Sequence, residues 1–312
     1  MLPFAGDLDA AKIHVQAPTS VVFLCGGQIS DINVPTPRSL RDAFLKIIDN
    51  PAIRGKQLIQ AEDVTVLSVF SEHYRDFLQF ETDLAQITEL ILLFCESEGS
   101  LAELGAFSMV DEIAARLLVI IRDKYWNFDS FVKLGPLRAL ENRHGPSSVF
   151  VIDDLDIDMR GTSAANVKID VLRDRLQEPI LIRLKRSREP TTFDRGKSGH
   201  IIKLIVGLIQ EYGALTVDEI MGLLSHLGID TLQSLISAYL LCATSVAWIV
   251  EKRKGSRTYY VACNFPDAAS QVFGEGVAVR NKTRRRVVIR DHWRDSDPLR
   301  HLGIQEVFGA SI

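Results

Sequence analysis

The chain has 312 residues, 46% hydrophobic and 24% charged, with a formal net charge of −4. That composition excludes a mostly disordered chain, a collagen-like repeat and a small disulfide scaffold. At roughly 100–200 residues per domain, two domains are expected. The charge is unevenly spread. Residues 1–160 hold 14 basic and 24 acidic residues, net −10, and residues 161–312 hold 22 and 16, net +6. Such a split points to a division of labour, with an anionic partner on the basic side.

The N-terminal segment MLPFAGDLDAAK has no charged n-region and no apolar h-region, so no signal peptide is expected. Residues 19–25 (TSVVFLC) read as a buried strand ended by Gly26 and Gly27. Residues 37–49 show helical spacing, with Leu40, Phe44, Leu45 and Ile48 on one face. Val64–Phe70 is β-branched and apolar, hence a strand. Phe77–Thr88 has helical periodicity, Leu90–Cys95 is a buried strand, and residues 100–115 form a helix. Leu117–Ile121 and Ser148–Ile152 complete the set of strands. Continuous apolar strands alternating with helices predict an α/β fold with a doubly wound parallel sheet over residues 1–155.

The acidic run 153–158 (DDLDID) reads as a solvated boundary. Residues 164–176 are expected to form a polar helix. Residues 183–198 hold six basic and two acidic residues and read as a linker or exposed arm, so 156–198 is assigned as linker helix plus basic arm. Residues 199–265 change pattern. Ile201–Tyr212 and Thr216–Leu227 are amphipathic helices, the second opened by a capping box at Thr216 and Glu219. Asp230 is expected to cap a third helix running to Thr244. Ala247–Glu251 and Thr258–Cys263 read as strands joined by the basic turn 252–257. Three helices and a β-hairpin predict a mostly helical winged helix-turn-helix domain. Residues 266–312 read as a less regular basic tail, with seven basic residues and one acid between 280 and 294.

The four cysteines, Cys25, Cys95, Cys242 and Cys263, form no CxxC pair, and three lie in apolar runs. They read as reduced core thiols of a cytoplasmic protein. The longest uncharged stretch, residues 231–250, is too polar for a membrane span. Scattered histidines and the lack of metal-ligand spacing predict no metal and no cofactor.

Chemistry concentrates at residues 96–106 (ESEGSLAELGA), a strand-to-helix turn. Ligands of open α/β sheets bind outside the carboxyl ends of strands. Glu98, Gly99 and Ser100 open the turn, and backbone N–H groups at a helix start favour anions. Glu103, expected in the first turn, is a carboxylate able to attack or stabilise a sugar C1′. The competing reading makes Ser100 and Glu103 an ordinary capping box. Cys25 ends the first strand, and Gly26 and Gly27 after it allow close approach of a ligand, which makes the three substrate-binding candidates. Glu81 offers a second carboxylate, against the alternative of an exposed helix charge. Tyr125 and Ser130 follow the fourth strand, where an aromatic ring could stack on a base. The third helix of the winged pattern lacks Lys and Arg, so nucleic acid would be held through phosphates by basic side chains elsewhere. The candidates are Arg183, Lys185, Arg186 and Arg188 in the arm, Lys252, Arg253, Lys254 and Arg257 in the wing, and Arg284, Arg285 and Arg286 in the tail.

Together, Phe23–Gly27, Glu81 and Gly99-Ser100-x-x-Glu103-Leu104-Gly105 resemble the nucleoside 2-deoxyribosyltransferase superfamily. The resemblance implies Glu103 as nucleophile and Glu81 as acidic helper, where the superfamily usually has Asp. The superfamily's loop Asp has no clean counterpart, and Glu96 and Glu98 flank its place. The order FLCGG, LLFCESEGSLAELGAF, SFVKLGP and then a winged-helix pattern resembles the effectors of type II-A retrons. That resemblance implies a toxic N-glycosidase in antiphage defence, with NAD⁺ as first-choice substrate and deoxyribonucleotides second. It implies control by a retron reverse transcriptase and its RNA-linked multicopy single-stranded DNA, and a homo-oligomer or higher-order complex. Two other readings stay open: a non-catalytic nucleotide sensor joined to a winged-helix regulator, and a metabolic deoxyribosyltransferase.

Overall fold

A computed structural model describes residues 2–309 except 19, 32, 61, 64–72, 186–188, 264–265, 271–278 and 280. The expected strand Val64–Phe70 lies outside the described residues, as do Arg186 and Arg188. The chain divides into two compact units. One, residues 20–63 and 88–187, is built on a parallel sheet. The other, residues 1–19, 64–87 and 188–312, is mostly helical.

The sheet has five strands, β1 (Val21–Cys25), β2 (Gln57–Ile59), β3 (Leu90–Cys95), β4 (Leu117–Arg122) and β5 (Val149–Ile152). All neighbours are parallel, in the spatial order β2-β1-β3-β4-β5. β1, β3 and β4 are buried along their whole length. Their unbroken Val, Ile and Leu runs reflect a sheet covered on both faces. β2, a short edge strand with a polar start, was not legible as a strand.

Three helices matter for the site and its support: α1 (Leu40–Leu45), α2 (Glu98–Phe107) and α3 (Ile169–Leu184). α1 is shorter than the expected 37–49, and Ile48 is 89% exposed rather than packed. α3 is longer than expected and runs through Pro179. Leu172, Leu176, Ile180 and Leu184 recur every four residues and pack with Leu24, Leu92 and Ile120 of the sheet in one core. The boundary at 155 therefore falls inside the sheet unit. Arg183, expected in an exposed arm, is 4% exposed and donates to the carbonyls of Ala114, Ala115 and His144. It is a structural cation. Lys185 beside it is exposed. The acidic run is likewise partly internal. Asp154 receives two 2.6 Å bonds from the buried Arg122, and Ile157 and Met159 enter the core.

The helical unit contains the helix Phe77–Ala85 and, further on, α4 (Ser198–Tyr212), α5 (Val217–His226) and α6 (Gln233–Ser245). The Thr216–Glu219 capping box opens α5 as expected. Asp230 does not cap α6, whose N-cap is Leu232. The hairpin strands β6 (Ile249–Lys254) and β7 (Arg257–Ala262) pair antiparallel, and Ala214–Leu215 pairs with β7 on its other side. The basic residues 252–254 thus lie on a strand, and the turn is Gly255-Ser256 alone. Residues beyond 280 are regular: α7 (Lys282–Ser296) and α8 (Pro298–Gly309). Arg285, Ile289 and Trp293, at four-residue spacing, form the buried stripe of α7. Trp293 Nε1 donates to the Tyr212 carbonyl at 2.9 Å. Among the described residues, no helix is long and apolar enough to cross a membrane.

Candidate active site

The sheet order reverses between β1 and β3, since the chain builds outward from β1 first one way and then the other. Such a switch point leaves a crevice at the carboxyl ends of the two strands. Gly26 and Gly27 follow β1, and Glu96 follows β3.

Glu96 joins the two strand ends. Its Oε1 accepts from the N–H groups of Gly27 (3.3 Å) and Arg41 (3.0 Å), and Oε2 accepts from Leu40 N–H (2.7 Å). Burial pushes this carboxyl up, and the three backbone donors and the Arg41 charge oppose that. The glycines are sterically required. Gly26 has φ +146°, and a Cβ there would stand 2.8 Å from Phe94 Cβ. A Cβ on Gly27 would stand 2.8 Å from Ser39 Cβ and 2.9 Å from Glu96 Oε1.

α2 starts at Glu98, behind Ser97 as N-cap. Ser97 Oγ accepts from Ser100 N–H, and Ser100 Oγ accepts from Ser97 N–H, a reciprocal cap. The capping box is therefore Ser97–Ser100, and Glu103 has no part in it. Glu103 sits in the second turn, not the first, on the same side as the buried Ser100 and Phe107. Ser100 also accepts from Glu96 N–H and donates to the Ser97 carbonyl. Expected to cradle substrate, it instead holds the turn. Glu98 and Gly99 are exposed at the helix start, and Cys25 is buried.

Glu103 Oε2 is buried and has no hydrogen-bond partner among the described residues. Burial pushes its carboxyl up to about 7, with Arg41 pulling it down and Glu62 pushing it up. A buried, perturbed carboxyl beside a charge pair at a switch point marks a functional-site candidate. Arg41 is the residue that the sequence reading missed. It occupies an inward position on α1, where a charge beside the apolar face of Leu40, Phe44 and Leu45 was the only signal. Its Nε donates to the Gly27 carbonyl at 2.8 Å, and Nη2 meets Glu62 Oε1 at 2.6 Å.

Tyr125 and Ser130 follow β4. The Tyr125 ring is partly exposed, with Lys124 Nζ 4.7 Å from its centroid, and Ser130 Oγ accepts from Lys133 N–H. Glu81 is only 5% exposed, so the alternative of a solvated helix charge is overturned, and its helix groups with the helical unit. There, Tyr74 Oη donates to Asp83 Oδ2 (3.1 Å) and to the Ala238 carbonyl (3.3 Å), and the Ser198 hydroxyl donates to Asp83 Oδ1.

Several expected nucleic-acid contacts are occupied. Lys252 and Lys254 pair with Glu306, and Arg257 stands 3.7 Å from Asp297. Arg285 is buried against Glu211, which corrects its assignment to an exposed tail, and Arg286 is shared between Glu211 and Asp267. Arg253 and Arg284 are exposed. No group of three His, Cys, Asp or Glu placed to hold a metal occurs among the described residues.

A parallel α/β sheet with a half-buried carboxyl at its switch point has its candidate ligand site at the carboxyl ends of β1 and β3. Sequence comparison shows the family: the chain belongs to the STM3845 retron effector protein family, whose model matches residues 37–252. Two Escherichia coli relatives are similar. One, the "Retron Ec86 putative ribosyltransferase/DNA-binding protein", is 29% identical over 169 residues, 54% of this chain and 51% of that protein. The other, the "Retron Ec73 putative ribosyltransferase/DNA-binding protein", is 29% identical over 146 residues, 45% of each. The match spans about half the length of these relatives.

Proposed function

We propose that the chain is the toxic N-glycosidase of a retron defence system. The observation that carries this reading is Glu103, half-buried near the β1–β3 switch point, whose buried Oε2 has no hydrogen-bond partner among the described residues. In its ionised form Glu103 attacks C1′ of a bound nucleotide. A bond forms between its carboxylate oxygen and C1′, and the N-glycosidic bond breaks with its electron pair passing to the base nitrogen. Water then cleaves the sugar ester and restores the carboxylate. With NAD⁺, the first-choice substrate, the leaving group is neutral nicotinamide. Deoxyribonucleotides are the second choice.

Gly26 and Gly27 let the turn after β1 pack closely on Phe94, Ser39 and Glu96, and Tyr125 is placed after β4 to meet a ring. Glu81 keeps the role of second carboxylate on the resemblance alone, and Glu81→Gln in the assay below tests it. The names of the two relatives, each a "putative ribosyltransferase/DNA-binding protein", support glycosyl chemistry and nucleic-acid contact. α4–α6 with the β6–β7 hairpin are read as a winged helix, with a retron reverse transcriptase and RNA-linked single-stranded DNA as controlling partners. Exposed Lys185, Arg253 and Arg284 are the proposed phosphate contacts.

The test is incubation of the purified chain, alone and with co-purifying nucleic acid, with NAD⁺ and with deoxyribonucleotides. Chromatography reads released nicotinamide or base. Release by wild type and not by Glu103→Gln is expected. Tight nucleotide binding with no release in any state would replace this reading with a nucleotide sensor.

A further inference from the structure

Arg41 is held asymmetrically. Its side chain is 4% exposed, and two backbone carbonyls at the end of β1 fix it: Gly27 O at 2.8 Å from Nε and Leu24 O at 3.4 Å from Nη1. The outer edge of the fork closes on one carboxylate, with Nη2 to Glu62 Oε1 at 2.6 Å and Nη1 to Glu62 Oε2 at 3.3 Å. Glu62 differs in kind from Arg41, since its side chain is 50% exposed. A half-exposed carboxylate gains little from an ion pair, because water competes for it and its rotamer freedom is lost. The guanidinium cannot leave, because its other bonds are to buried main chain.

A planar guanidinium fork fits carboxylate and phosphate oxygens alike. The Glu96 carboxylate accepts from Arg41 N–H and the Glu96 N–H donates to Ser100 Oγ, one turn before Glu103 on the same side of α2, so fork and acid stand at the same strand end. From this geometry we propose that the Arg41 fork seats a phosphate group of the substrate, and that Glu62 is a resident stand-in which the phosphate displaces. The ligand class is then a nucleotide carrying a 5′-phosphate or pyrophosphate, and a bare nucleoside is excluded. The word substrate rests on the N-glycosidase reading; the phosphate seat does not.

The experiment measures equilibrium binding of AMP, NAD⁺ and adenosine to the full chain at fixed ionic strength. Glu103→Gln is the background, so that nothing turns over. Adding Glu62→Gln removes the competing charge. AMP and NAD⁺ should bind about tenfold tighter, with adenosine unchanged. An equal gain for adenosine, or no gain for AMP and NAD⁺, or no binding of any of the three, overturns the proposal. Arg41→Lys should lose AMP binding selectively. Because Arg41 also bonds the main chain, that variant is first checked by thermal melting, and Glu62→Gln decides if it does not fold. Selective phosphate binding without base release would leave the seat standing and remove the glycosidase. Base release without phosphate preference would do the reverse.

Discussion

Glu103 is stabilised in its protonated form by the fold, since burial outweighs the Arg41 charge. A folded-state value of about 7, against an ordinary 4.5, means that the folded chain holds this proton more tightly than the unfolded chain. The associated stability is fully present below the unfolded value and is lost as pH rises through 7. Glu103→Gln, neutral at every pH, should therefore gain on wild type between pH 5 and pH 8, by up to about 3 kcal/mol. Urea denaturation of both chains at the two pH values measures it, and a constant difference would show that the carboxyl is not perturbed. The proposed reaction needs the ionised form, so base release should rise with pH through about 7. Glu62→Gln removes a charge that pushes Glu103 up, so it should move that acid limb to lower pH in the rate profile.

At the scale of elements, the two glycines flanking the catalytic candidate play opposite parts. A Cβ on Gly27 would meet Ser39 and Glu96, whereas Gly105 on α2 has nothing within 4 Å. Gly27→Ala should cost about 1–3 kcal/mol and disturb the crevice. Gly105→Ala should stabilise the chain by about 0.5–1 kcal/mol with nucleotide binding intact. Thermal melts with and without AMP separate the two. The sequence made β1, β3 and β4 legible because a strand buried on both faces is a bare apolar run, and β5, a half-buried edge strand, showed as the apolar run Val149–Ile152. It showed α3 only in part, as a polar linker helix at 164–176, and concealed α7, because dense charge outweighs a stripe of one residue in four. Glu103 was legible from its place in a motif. Arg41 was not, because its value as a site residue comes from Glu62 and Gly27, which lie far from it in the chain.

At the scale of the molecule, the net +6 of residues 161–312 overstates what can meet an anion. Arg285 and Arg286 are held by Glu211 and Asp267, Lys254 pairs with Glu306, and Arg300 lies 3.9 Å over the Trp293 ring with Glu219 at 2.6 Å. The exposed and the committed arginines should therefore behave differently. Arg253→Ala and Arg284→Ala should each weaken single-stranded DNA binding and flatten its logarithmic salt dependence by about one unit. Arg285→Ala leaves Glu211 buried without its partner and should cost about 3–5 kcal/mol of stability. Titrations at several salt concentrations, beside denaturation curves, distinguish the two classes. Unchanged slopes for both exposed sites would move the nucleic-acid surface elsewhere.

The chain crosses between its compact units four times, near residues 19, 63, 87 and 187. No single cut therefore yields two self-sufficient halves. A gene fragment encoding only residues 188–312 would lack His14–Val15, the central strand between Thr191–Thr192 and Ala269–Ser270. It would also lack Tyr74 and Asp83, which bond to Ala238 and Ser198. The two compact units are thus woven into one covalent path, and neither can be inherited, exchanged or expressed as a simple cassette.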